Sequence, residues 1–195
     1  MRRRTLDALL TTGGLIVATV LLVAGGLLSW ANNFVDDNVR TQLAAQNIYF
    51  PDKGSEQLED PAVKPYLEKY AGQQLLTGEQ AKAYADHYIK VHLDASTGGK
   101  TYSELSTISR ANPDDEKAAG LVQLAFRGET LRGLLLNAYA FGTMGKIAMY
   151  AAWASFAGAA AMIVLSLLGF LHLRRVPVEE EVGAKVRRTP VAATA

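Results

Sequence analysis

The sequence has no cysteine, no strand-like alternation of apolar and polar residues, and no excess of either charge. The absence of cysteine excludes disulfide bonds, and it is compatible with an exported domain and with a cytoplasmic one alike. The 20 basic and 19 acidic residues nearly cancel, which argues against the strongly basic surface of a nucleic-acid-binding protein. What distinguishes the sequence is where its charges are missing.

Charged residues are missing from two long stretches of the chain. Residues 8–35 and 147–173, which are 28 and 27 residues long, contain no Asp, Glu, Lys or Arg. A helix needs about 20 mostly apolar residues to cross a bilayer. The sequence therefore predicts transmembrane helices at 9–30 and 147–173. Because no ionisable group lies in the middle of either span, an ion pathway or proton relay is not expected.

The first stretch also shares features with a secretory signal. Arginines at 2–4 would form its basic region, and 29–31 (Ser-Trp-Ala) would suit cleavage. Against cleavage, the apolar core of about 20 residues exceeds the usual 7–15 of a signal, and Trp30 occupies the position of an interfacial anchor. We favour an uncleaved anchor, with a cleaved signal as the alternative.

The distribution of charge predicts the orientation in the membrane. Residues 1–30 carry a net charge of +2, residues 31–146 of −3, and residues 147–195 of +2. Basic residues concentrate on the cytoplasmic side of membrane proteins. We therefore predict a plasma-membrane protein with both termini in the cytoplasm and residues 31–146 outside. Residues 1–8 would form the cytoplasmic N-terminus, and residues 174–195 a disordered cytoplasmic tail.

The segment between the two spans has helical patterns throughout. Apolar residues recur at helical spacing after Trp30, so the first helix should continue to about Gln46, and Pro51 cannot extend it. Residues 51–61 are predicted to form a polar loop. A helix is expected through residues 81–93 until the glycine pair that follows Thr97.

Three further helix starts are predicted from capping patterns. Thr77 with Gln80, and Thr101 with Glu104, have the spacing of a capping box. Asn112, which precedes a proline and three acidic residues, predicts the start of the helix that leads into the second span. The sequence thus predicts an all-α fold in which two transmembrane helices form a hairpin with an extracytoplasmic helical bundle between them.

The stretch STGGKTY (96–102) resembles the end of a phosphate-binding loop. The full motif, GxxxxGK[ST], requires a glycine where this chain has Asp94, whose negative charge would repel a phosphate. We interpret the stretch as a glycine helix stop followed by a threonine cap, and Lys100 as an exposed loop residue. No nucleotide is expected to bind.

The spacing of the histidines does not predict a metal site. His87 and His92 are five residues apart, which places them about 140° apart around a helix, and His172 lies at the far end of the second span. The GxSxG elbow of serine hydrolases is missing as well. The sequence therefore predicts a protein with no metal, no cofactor and no catalytic residues.

Small residues recur at a spacing of four in both predicted spans, which lets helix backbones approach closely in lipid. The partner could be the other span of the same chain, a second copy, or another membrane protein. The candidate packing residues are Gly14, Ala18, Gly25, Ser29, Ala151, Ala154, Ser155, Gly158 and Ala159.

The segment between the spans resembles a family of uncharacterised actinobacterial two-span membrane proteins. The resemblance rests on AAQNIYFP (44–51), YAGQQLLTGEQAKAYADHYI (70–89), GGKTYSEL (98–105) and RGETLRGLLLNAYAFGT (127–143). It implies the two-span architecture and no activity. Some relatives carry an automated label as aromatic ring-opening dioxygenases, but such enzymes need iron held by converging histidines and carboxylates, which this spacing does not provide.

The leading interpretation is a non-enzymatic membrane protein whose external domain binds a partner or organises an envelope complex. One alternative is a sensor-like accessory subunit, because the architecture resembles the input half of a bacterial receptor without an output domain. Another is a lipid- or small-molecule-binding protein, favoured by the external aromatic residues. An apolar pocket open toward the bilayer would support this second alternative.

Overall fold

The computed structural model describes residues 3–175 of the chain. These residues are helical apart from short connections, which confirms the predicted all-α class. The predicted disordered tail lies outside the described residues from position 176 onward. The helices are α1 (Arg3–Gln46), α2 (Glu56–Glu59), α3 (Lys64–Leu67), α4 (Gly78–Tyr84), α5 (Lys90–Thr97), α6 (Tyr102–Ala111) and α7 (Glu116–Leu173), with a 3₁₀ turn at Glu68–Tyr70 and a π-helical turn at Ala85–Ile89.

The chain divides into two compact units, and the long helices α1 and α7 contribute to both of them. Among the described residues, unit 1 comprises residues 3–29 and 150–175, and unit 2 comprises Trp30–Met149. Helix α1 ends near Gln46, as the apolar spacing predicts. Helix α1 (Arg3–Gln46) and helix α7 (Glu116–Leu173) are each one uninterrupted helix.

In unit 1, α1 and α7 pack against each other in antiparallel order. Gly14 lies against Ser166, and Gly25 lies against the ring of Phe156. Both helices are long and apolar enough to cross a membrane, with a mean hydropathy of 2.1 in the most apolar window of each. Only 17% of that window in α1 and 11% in α7 is buried. Apolar side chains such as Val20 and Leu165 face outward, which is not the arrangement of core helices in a soluble protein.

Unit 2 has a hydrophobic core of its own beside α1 and α7. Asn47 adopts a left-handed conformation with φ of 54° and ends α1. The chain then returns so that the amide of Phe50 donates to the carbonyl of Gln73 at 2.9 Å. The loop predicted at 51–61 contains the single helical turn α2. The buried core residues are Leu43, Phe50, Leu58, Val63, Leu67, Leu75, Ala81, Ala85 and Leu135.

Both predicted capping boxes are confirmed. The hydroxyl of Thr77 accepts from the amide of Gln80 while the Gln80 side chain accepts from the amide of Thr77. Thr101 and Glu104 make the same pair of bonds at the start of α6. Gly98 ends α5 with φ of 63°, a conformation that glycine adopts without strain. The sequence did not predict the π-helical turn that divides α4 from α5.

Helix α7 begins later than predicted. Asn112 does not cap it; instead its side-chain amide donates to the carbonyl of Ile108 at 3.1 Å and closes α6. The carboxylate of Asp115 accepts from the amide of Ala118 at 3.0 Å and caps α7. Asn and Asp both cap helices well, so the position of the turn between α6 and α7 decides which of the two residues caps the N-terminus of α7.

The segment from 133 to 145 is part of the continuous helix α7. Leu135 faces the unit 2 core, whereas Leu134 and Phe141 are exposed. Gly142 and Gly145 are points of contact in an unbroken helix: Gly142 lies against Gly78 of α4, and Gly145 lies against Val35 of α1. Lys146, next to it, forms an ion pair with Glu79 at the start of α4.

Two neighbouring leucines test this orientation of α7. Leu135 is 5% exposed and Leu134 is 61% exposed. Leu135→Asp should destabilise unit 2 by about 3–5 kcal/mol, because it places an unpaired charge in the core. Leu134→Asp should change stability by about 0.5 kcal/mol at most. Urea unfolding of the full chain in detergent, followed by near-ultraviolet circular dichroism, measures both; equal effects would contradict this placement of α7.

Candidate functional site

A groove lies between α1 and α7 in unit 2, and we call it the apolar groove. Its first half has a volume of about 520 Å³ and its second half of about 560 Å³. The two halves share Gln42, Leu134 and Ala138, so they are continuous. Volumes of this size are typical of sites for small organic molecules.

The first half of the apolar groove is hydrophobic and open. Phe34 is 55% exposed, Leu134 61% and Phe141 56%. Val35 and Val39 line it between these side chains. Large apolar groups left together in water on a concave surface are typical of a binding site.

The second half is deeper and carries a few neutral polar groups. Leu43 and Leu135, which form part of the unit 2 core, line its floor. Gln42 and Gln46 line it from α1, and Tyr84 lines it from α4. Burial, with a smaller contribution from the neighbouring Tyr88, raises the pKa of Tyr84 to about 12. The phenol is therefore neutral at physiological pH.

Polarity changes in a regular way along α1. Trp30, Phe34, Asn38 and Gln42 follow one another at a spacing of four, which places them on one face of the helix. The rings of Trp30 and Phe34 stack with their centroids 5.6 Å apart. This face thus passes from aromatic to amide side chains, and in the described part of the chain none of the residues that line the two halves carries a formal charge. The acidic Asp37 lies at the edge of the first half, where it lines an adjoining surface with Phe34, Asn38 and Gln42.

A polar network on α7 fixes the π-helical turn beside the groove. The Arg132 Nε donates to the carbonyl of Ala85 at 3.2 Å, and its Nη2 lies 3.4 Å from an Asp86 carboxylate oxygen. Partial burial favours the neutral form of Asp86, but Lys82 and Arg132 outweigh it and hold the pKa of this carboxyl below its usual value. The network keeps α4 against α7, and thereby keeps Tyr84 at the groove.

The residues predicted to pack the spans occupy several environments in unit 1. Gly14, Ala18 and Gly25 on α1 are buried, as is Ala159 on α7. Ala154 is exposed. The remaining four are partly buried: Ser29, Ala151, Ser155 and Gly158. Part of the predicted set is therefore buried within the chain, and packing of the other residues against a second copy or another membrane protein stays a prediction.

A spacing of seven describes the packed face of α7 better. Gly145, Ala152, Ala159 and Ser166 are all buried and are separated by seven residues each. A repeat of seven keeps one face of a helix toward its partner in a left-handed crossing. Ser166 has no small residue four positions before or after it, and Ala152, which has Ala148 four positions before it, is not among the predicted residues. The repeat of seven is nevertheless readable in the sequence.

The other sequence features occupy ordinary positions. Lys100 is exposed in the turn between α5 and α6, where the glycine stop and the threonine cap meet as predicted. The ring of His87 stacks on Tyr66 with centroids 3.6 Å apart, and the Nδ1 of His92 lies 2.8 Å from the carbonyl of Tyr88. Within residues 3–175, no three histidine or acidic side chains are grouped closely enough to hold a metal ion.

Comparison with known proteins finds no matching family model, and no curated protein or solved structure is significantly similar to the chain.

Adjacent glycines of α1 test the packing in unit 1. A Cβ at Gly25 would lie 2.7 Å from the ring of Phe156, whereas one at Gly26 would have no neighbour within 4 Å. Gly25→Val should therefore destabilise the pair by about 1–3 kcal/mol, and Gly26→Val should not. Thermal loss of helical circular dichroism, measured on the full chain in detergent, compares them. An equal or larger loss in the Gly26 variant would contradict the observed face.

Proposed function

We propose that this chain is a non-enzymatic plasma-membrane protein that crosses the bilayer twice and presents an external helical domain for binding. The first span would lie at 9–30, the external domain at 31–146, and the second span at 147–173, with both termini in the cytoplasm. The same proposal includes membership in the actinobacterial two-span family.

One observation carries the membrane part of the proposal. The charge-free stretches of α1 and α7 expose large apolar side chains along their length, among them Leu10, Val20, Val164 and Leu168. In water such a surface would cause aggregation. In lipid these side chains face an apolar environment, and each helix satisfies its own backbone polar groups.

The apolar groove supports the binding part of the proposal. A domain that only joined two spans would have no need of a concave surface on which Phe34, Leu134 and Phe141 remain uncovered. Binding of an apolar partner would remove these side chains from water. This favours a binding module over a sensor-like accessory subunit, for which no specific feature of the described residues argues.

Site-directed cysteines test the orientation without interference, because the chain has no native thiol. Lys53→Cys should react with a membrane-impermeant maleimide in intact cells, whereas Thr194→Cys should react only after permeabilisation. Lys53 is exposed in the connection that precedes α2, whereas the Oγ of the nearby Ser55 is buried. Labelling of Thr194→Cys alone in intact cells would reverse the orientation, and release of the chain by alkaline carbonate would refute membrane insertion.

A further inference from the structure

The chemistry of the apolar groove identifies the class of its occupant. We propose that the groove holds one acyl chain of a phospholipid from the surrounding bilayer. The inference rests on the proposed function, since it requires the spans to lie in lipid and unit 2 to lie beside it.

The groove begins on α1 where the first charge-free stretch ends. Phe34 and Val35 belong to the charge-free stretch 8–35 itself and line the first half of the groove. Asp36 and Asp37 follow them, and on α7 Lys146 lies between Phe141 and the second charge-free stretch. If residues 8–35 lie in lipid, as proposed, the apolar end of the groove at Phe34 and Val35 is within reach of an acyl chain.

The length of the groove corresponds to that of a lipid chain. From Phe34 to Gln46 the lining extends over 12 residue-to-residue steps of α1, or about 18 Å. The hydrocarbon core of a bilayer is about 30 Å thick and contains two leaflets, so one chain extends over about 15 Å. A single acyl chain would thus reach from the aromatic end of the groove to its amide end.

The polarity of the groove favours a phospholipid over a free fatty acid. In the described residues the lining is neutral, so a fatty acid carboxylate would be left there without a basic partner, which is costly. An ester carbonyl, in contrast, can accept hydrogen bonds from the amides of Gln42 and Gln46 or from the Tyr84 phenol. The driving force is the removal of the groove's own apolar side chains from water, because the acyl chain leaves one apolar environment for another.

Photocrosslinking tests the proposal directly. The full chain is reconstituted in nanodiscs of phosphatidylcholine, a fraction of which carries a diazirine on its acyl chain. After irradiation, adducts are located by peptide mass spectrometry. We expect adducts on 34–46 and 131–141, in addition to those on the two spans.

A pair of alanine variants on α7 supplies the matched control. Ala138 lines both halves of the groove, and Ala140 is exposed and lines neither. Ala138→Phe should lower the groove adducts at least fivefold, whereas Ala140→Phe should leave them unchanged. If Ala138→Phe does not fold, Leu134→Arg serves instead, because this side chain is already exposed and the arginine places a charge in the first half.

Several results would overturn the inference. Adducts confined to 9–30 and 147–173, or equal groove adducts in both alanine variants, would show that no acyl chain occupies the groove. Disulfide-linked dimers formed on oxidation of a variant whose single cysteine replaces Phe34 would assign the groove to a second copy instead. Cysteine labelling at Lys53 and Thr194 in intact cells, where only one face of the membrane meets the reagent, distinguishes these outcomes from a failure of the proposed topology.

Discussion

The close approach of α1 and α7 is the interaction on which the rest of the structure depends. It is made by small side chains, because Gly14 and Gly25 meet α7 where any larger residue would overlap Ser166 or Phe156. In unit 2 the same two helices touch at Gly145 and Val35. In lipid, where the hydrophobic effect does not drive helices together, such van der Waals packing is the main source of association.

The groove lies where the side chains between α1 and α7 are large, among them Phe34, Val39 and Leu134. The short helices of unit 2 cover one side of this opening through Leu135 and the core. The other side stays uncovered, which is the physical basis for proposing an apolar occupant there.

Much of the fold could be predicted from the sequence because its signals are local. The charge-free stretches, both capping boxes and the glycine stop at Gly98 each depend on a few neighbouring residues. The start of α7 was misplaced because Asn112 and Asp115 are equally good caps, and only the turn between α6 and α7 decides between them. The π-helical turn and the groove depend on contacts such as that of Arg132 with Ala85, 47 positions apart, which no local pattern contains.

The central claim is that the outward faces of α1 and α7 in unit 1 are covered by lipid. Spin labels on single cysteines at Val20 and Val164, both exposed in the structure, test it in nanodiscs through their collisions with oxygen and with a water-soluble nickel chelate. Oxygen concentrates in the hydrocarbon and the chelate is excluded from it. The account predicts frequent collisions with oxygen and few with nickel at both positions, and the opposite for a label at the exposed Lys100. Frequent collisions with nickel at Val20 and Val164, or labels immobilised and inaccessible to both reagents, would contradict it.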